Sequence, residues 1–274
     1  MGDRPNKNGS VPKTVTELWS NWQQPGGAGP CSECPRHWSR RSDIPDQGQN
    51  EDPNNYGMKP WFAEGDFSPE VVVMGEEPGS RDPDTKKNQL NSQFKQTRGD
   101  IREVAEDSET IKQVKPLFDA LYDSDIPTYW TNMTKCHPIG SNDNAVGQDV
   151  CCGLSEKVDR SYLRDELEEL EPQIVITVGG PAAKKLLKLY GRQLSDFAKT
   201  TMSGDYLSGF HPQSNHNAPF EIATAFHPRY LFNSGEFQSR KSEIQNAQGE
   251  EQNRVKKPYY GQYGDDLVEW ISTN

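Results

Sequence analysis

The chain has 274 residues, a formal net charge of −11, a hydrophobic fraction of 32% and a mean hydropathy of −0.94. This composition supports a core of modest size with polar extensions, and the acidic balance argues against non-specific nucleic-acid binding, which needs Lys and Arg to displace counterions from phosphate. A local basic strip on an acidic body is still allowed, and excess carboxylate with few apolar residues also fits a salt-adapted cytosol.

In chain order, TVTELWSNWQQ (14–24) predicts a short helix. It leads into a Gly/Pro/Cys segment and then a polar stretch up to about residue 60. VVVM (71–74) is a short β-branched apolar run between Pro69 and Gly75, which suits a buried parallel strand. VKPLFDALYDSDI (114–126) reads as a helix ending before Pro127, and TYWT (128–131) as the second strand. RSYLRDELEELEP (160–172) is amphipathic, with Leu163, Leu167 and Leu170 on one face. IVITV (174–178) is the third strand. PAAKKLLKLYG (181–191) is a helix with Pro181 in its first turn and Gly191 as its stop. EIATAF (221–226) is the fourth strand. Residues 233–262 are polar without a clear period, and DDLVEWI (265–271) suggests a short terminal helix.

Alternating strands and helices predict an α/β fold with a four-stranded parallel sheet covered on both faces. Three regions follow: an N-terminal extension over 1–60, an α/β domain over 61–232, and a polar C-terminal arm over 233–274. No apolar run approaches the roughly 18 residues of a membrane span. MGDRPNKNGSVPKTV at the N-terminus has no apolar signal region. The expectation is a cytoplasmic protein with no membrane contact, monomeric by default.

Five cysteines stand at 31, 34, 136, 151 and 152. An odd number argues against a disulfide framework. Cys31 and Cys34 form a C-x-x-C pair, and Cys136 with Cys151 and Cys152 makes a second group. Four thiolates can be drawn from this set, the number required by an iron–sulfur cluster or a structural zinc. Scattered buried cysteines are the plainer alternative.

A parallel sheet binds ligands beyond the carboxyl ends of its strands. Those ends are distinctive here. GEEPGSRDPD (75–84) follows the first strand, Asn132 the second, Gly179-Gly180-Pro181 the third, and His227-Pro228 the fourth. Singly, these read as an acidic turn, a strand-end cap, a strand-to-helix turn and a histidine at a buried edge. Together, a carboxylate loop, an amide, a helix N-terminus suited to an anion and an imidazole would share one rim.

These residues resemble the uracil-DNA glycosylase superfamily, and within it the iron–sulfur group often called family 4. GEEPG (75–79), TNMTKCHP (131–138), EPQIVITVGGPAAKKLL (171–187) and HPRYL (227–231) follow that group's motifs in order, with C-x-x-C upstream. The resemblance implies a three-layer α/β/α fold and a 4Fe–4S cluster. Its ligands would be Cys31, Cys34, Cys136 and Cys152, with Cys151 as the alternative fourth. It implies that Asn132 reads a flipped uracil and that His227 donates to the uracil O2. The backbone of Gly75, Pro78 and Gly79 would line the pocket, and Glu76 or Asp82 would act on the sugar or on water. Lys135 and Arg229 would contact DNA phosphates.

The chain departs from that pattern in places. Glu77 stands where a small residue is usual, and Asp82 where a Glu is usual. The segment bearing the stacking aromatic is replaced by NQLNSQFKQTRGD (88–100), in which Phe94 is the one aromatic. The expected function is a DNA-repair glycosylase acting on uracil, or a related deaminated base, in DNA. The alternatives are a non-catalytic nucleic-acid-binding protein that keeps the fold and metal site, and a nucleotide- or phosphate-binding α/β protein with structural zinc.

Overall fold

The structure is a computed structural model that describes residues 12–32, 34, 37, 63–76, 109–135, 160–191, 210, 212, 217–225, 227–228 and 259–274. Its helices are α1 (Lys13–Gln23), α2 (Glu109–Asp123), α3 (Tyr162–Leu170), α4 (Gly180–Leu189) and α5 (Tyr259–Thr273). Its strands are β1 (Ala63–Gly65), β2 (Val71–Gly75), β3 (Thr128–Asn132), β4 (Ile174–Val178) and β5 (Glu221–Ala225). The strand order is β1-β3-β2-β4-β5. β3, β2, β4 and β5 are mutually parallel, as expected, and β1 adds a short antiparallel edge to β3.

Period-two alternation divides the strands between two cores. Val72, Met74, Tyr129, Val175 and Ile222 face α3 and α4, packing on Leu163, Leu167, Ala182 and Leu186. Val71, Val73, Trp130, Ile174, Ile176 and Ala223 face α2 and α5, packing on Leu117, Phe118, Leu121, Tyr263 and Leu267. This is the three-layer α/β/α arrangement. Because both faces are covered, the inner strands can be buried at every position: VVVM is apolar throughout, and IVITV is apolar except for Thr177, whose hydroxyl bonds the Thr224 hydroxyl at 2.9 Å. Each fully buried Val or Ile contributes roughly 1.5–3 kcal/mol.

Local signals set most helix ends. Ser161 caps α3 by accepting from the Arg164 N–H at 3.1 Å, and Glu171 closes it in a left-handed conformation before Pro172. At the end of α2, Asp125 is left-handed (φ 56°) and the Ile126 N–H bonds the Leu121 carbonyl at 2.9 Å, a Schellman closure. α2 begins at Glu109, earlier than its apolar run suggests, so Pro116 lies inside it rather than in its first turn.

α5 also differs from expectation. It starts at Tyr259, within the stretch read as a polar arm, and runs 15 residues. Gly261 and Gly264 weaken its helix signal in the sequence. Gly264 is required by close packing, because a Cβ there would meet Ala120 Cβ at 2.8 Å and Leu117 Cα at 3.2 Å.

α1 is fastened to α3. Glu169 accepts from the Thr14 N–H at 3.1 Å and from the Thr14 hydroxyl at 2.6 Å, satisfying the helix start that Pro12 leaves without a side-chain cap. Arg160 pairs with Glu17 at 2.8 Å and also with Asp165, while Asn21 donates to the Tyr162 hydroxyl at 3.0 Å.

Beneath the sheet, α3 carries a buried polar network. Glu166 accepts from the Tyr129 hydroxyl at 2.8 Å, the Thr131 hydroxyl at 3.1 Å and the Lys135 ammonium at 2.6 Å. Burial first, and then the Glu166 charge, hold the Tyr129 hydroxyl well above the ordinary tyrosine range. Burial, and then the Glu17 charge, push Tyr162 up to about 12.

Two outcomes are expected. Gly264→Ala lowers the unfolding free energy by about 1–3 kcal/mol, although Ala is the better helix former, because overpacking outweighs propensity; urea unfolding measures it. The second concerns alkaline pH. Above about pH 10 the unfolded chain loses the Tyr129 proton while the folded chain keeps it, so Tyr129's stabilising contribution declines as pH rises. Tyr129→Phe is therefore less stable than wild type near pH 8, and the gap narrows toward pH 11, as urea unfolding at both values reads directly.

Candidate functional site

The strand order locates the crevice. From β2 the chain moves outward to β3, then returns past β2 to β4 and continues to β5. The winding reverses between β2 and β4, and a ligand crevice opens beyond the carboxyl ends of strands at such a point. Gly75 closes β2 there, and Gly179 follows β4.

Each inner-strand glycine lies beneath a polar side chain from the neighbouring outer strand. Asn132, the last residue of β3, pairs in register with Gly75, and its Oδ1 occupies space that a Cβ on Gly75 would need. His227, just beyond β5, lies over Gly179, where a Cβ would meet His227 Cβ at 3.1 Å and Cδ2 at 3.4 Å. Gly179 also has φ +98°, a conformation that side-chain-bearing residues rarely adopt. Amide and imidazole thus approach the crevice from opposite sides.

Asn132 is 2% exposed, and its Nδ2 has no hydrogen-bond partner among the described residues. A buried unpaired amide donor costs about 1–3 kcal/mol, and this one, held at a sheet rim, is available to an acceptor from a ligand or a water. The backbone around it is fixed: the Met133 N–H bonds the Gly75 carbonyl at 2.9 Å, and the Thr134 N–H bonds the Glu76 carbonyl at 3.0 Å. Glu76 therefore sits at the start of the loop beside Asn132, partly exposed.

α4 starts directly after β4. It has Gly179 at its cap, no side-chain cap hydrogen bond and no acid in its first turn. Its N-terminal dipole is left uncompensated at the same rim, which favours an anion there.

Lys135 requires a correction. It is 3% exposed and paired with Glu166, which is 1% exposed, and it also bonds the Thr131 hydroxyl. A phosphate contact would break a buried ion pair, so the structure assigns Lys135 to the interior. Pro78, Gly79, Asp82, Phe94 and Arg229 lie outside the described residues, as do Glu77, Cys136, Cys151 and Cys152.

Cys31 and Cys34 are both buried on one loop. The Cys34 N–H bonds the Cys31 carbonyl at 3.3 Å, and the His37 N–H bonds the Cys34 carbonyl at 3.1 Å. The buried His37 ring, through Nε2, lies 2.8 Å from the Trp22 carbonyl near the end of α1. The loop also approaches α3, since a Cβ on Gly29 would lie 3.1 Å from the Tyr162 hydroxyl. Among the described residues no group of three or more His, Cys, Asp or Glu is placed to hold a metal.

Sequence reasoning missed Glu166 and Thr134. Glu166 lies at helical spacing among Leu163, Leu167 and Leu170, on the apolar face, and that spacing was the available signal. Thr134 is fully buried, and its hydroxyl has no hydrogen-bond partner among the described residues; nothing in the sequence pattern distinguishes it.

Among curated proteins none matches the chain. The family model described as the uracil DNA glycosylase superfamily matches residues 62–248, more than half of the chain and the whole of the described sheet. With four parallel strands in three layers and Asn132 and His227 at the strand ends, the chain belongs to the uracil DNA glycosylase superfamily.

Proposed function

We propose that the protein is a DNA glycosylase that hydrolyses the N-glycosidic bond of uracil, or a related deaminated base, in DNA. The observation that carries this reading is the buried Asn132 amide, with Nδ2 unpartnered among the described residues, at the crevice rim. An amide has one donor and one acceptor side by side. Uracil offers the complement at O4 and N3–H, so Asn132 can read the edge of a base flipped out of the stack.

As the glycosidic bond breaks, its electrons pass to the uracil ring and negative charge builds on O2. His227 is the group to donate to that oxygen, and a preorganised donor does so without solvent reorganisation. Water adds at the sugar carbon, giving free base and an abasic site. Glu76 or Asp82 would steady the cationic sugar or orient that water. The Gly75, Pro78 and Gly79 backbone would line the pocket, and Phe94 would stack on the base. With Lys135 held inside, phosphate contact falls to Arg229 and to the α4 N-terminus, and a local positive field of this kind is what an acidic chain needs for DNA.

A structural 4Fe–4S cluster belongs to the same reading. Cys31 and Cys34 suit it as two buried side chains on one turn. Two chain paths also meet at α3. Lys135, one residue before Cys136, is tied to Glu166, and the Cys31 loop reaches Tyr162. Cys136 and Cys152, with Cys151 the alternative, would complete the set. Such a cluster would tie the N-terminal extension to the domain, because binding at four points contributes directly to folding. A second reading, a non-catalytic nucleic-acid-binding protein, is favoured by Glu77 and by NQLNSQFKQTRGD in place of the usual aromatic segment.

The test uses oligonucleotides with one uracil, single- and double-stranded, scored by cleavage at the abasic site. Asn132→Ala abolishes excision in this assay. His227→Ala lowers kcat by about 100- to 1000-fold, the effect of losing one preorganised donor. Gly75→Ala, which displaces the Asn132 amide, costs about 100-fold. Unchanged rates in all three variants would remove the site assignment. Separately, protein purified without oxygen should be brown with broad visible absorbance that Cys31→Ser abolishes. A colourless, zinc-loaded preparation would contradict the cluster.

A further inference from the structure

We propose that Glu166 is the positioning residue for Asn132, acting as a clamp that grips the end of β3 on both sides of the amide. This rests on the glycosylase reading for its consequence in catalysis, but not for its geometry.

The three groups that donate to Glu166 are spaced around Asn132. Tyr129 lies three residues before it, Thr131 one before, and Lys135 three after. The Lys135 ammonium also bonds the Thr131 hydroxyl, which closes a ring of side chains around the turn. The backbone between is held to β2, with the Met133 N–H on the Gly75 carbonyl and the Thr134 N–H on the Glu76 carbonyl. The Asn132 side chain leaves this turn on the Gly75 side, with Nδ2 unpartnered among the described residues.

Stability alone does not account for such a clamp. Burying an ion pair costs desolvation, and apolar replacements of similar volume often hold helix to sheet as well or better. What the pair adds is direction. Hydrogen bonds from three side chains of one chain end to one carboxylate fix where that end sits relative to α3. An amide that must meet two ring atoms of a base needs that fixing, because an error near 1 Å at the reacting geometry can cost about 100-fold.

The experiment compares wild type, Glu166→Gln and the neutral pair Lys135→Met/Glu166→Gln. The neutral pair avoids leaving one buried charge alone, so it serves even where Glu166→Gln does not fold. Two readouts are taken: single-uracil excision kinetics and the Asn132 side-chain NH2 resonances. The clamp predicts kcat lower by about 10- to 100-fold with KM within about threefold, in both variants. It also predicts shifted or broadened Asn132 NH2 signals. Recovery of wild-type kcat in the neutral pair, or Asn132 signals that do not move, would overturn it. Where wild type itself excises no uracil, the glycosylase reading fails, and the Asn132 resonances alone decide the clamp by the same criterion.

Discussion

Two glycines at the carboxyl ends of the inner strands determine what the sheet rim can hold. Gly75 and Gly179 carry no side chain where Asn132 and His227 need to lie, and each glycine faces the outer strand that supplies the polar group. The parallel sheet requires the strands to end on one side, and the winding reversal between β2 and β4 opens the crevice there. A Cβ at either glycine would push the amide or the imidazole aside. The chemistry of the rim thus follows from the absence of two methyl groups as much as from the side chains present.

The second determinant is α3. One of its faces packs Leu163, Leu167 and Leu170 on the sheet, its Glu166 gathers the end of β3, and its Glu169 and Tyr162 receive α1. The helix that receives α1 and touches the Cys31 loop is therefore also the helix that holds the end of β3. A shift of α3 would be felt at the end of β3, where Tyr129, Thr131 and Lys135 bond Glu166.

Several features were readable because one physical cause acted locally. VVVM is apolar throughout, and IVITV in all but Thr177, because both faces of their strands are covered, and Gly179 with Pro181 announces a strand-to-helix turn. Asn132 and His227 are legible as rim residues because parallel strands end on one side. The failures arose where tertiary contact overrides local pattern. β1 is three residues without a β-branched side chain and exists by pairing with β3. The start of α5 is hidden by Gly261 and Gly264, the second of which close packing on α2 requires. Lys135 looks like a phosphate contact until a carboxylate from α3, 31 residues later in the chain, takes it inside. No local pattern carries a partner at that distance.

A rim that breaks a glycosidic bond leaves abasic sites behind. The most direct measurement is the appearance of abasic sites in a uracil-containing duplex incubated with the wild-type protein, across salt concentrations suited to an acidic chain. A uracil-excising enzyme leaves abasic sites at uracil and none at thymine. DNA binding retained with no abasic site at any deaminated base, at any salt concentration, would contradict that activity and leave a protein that holds DNA without cutting the base free.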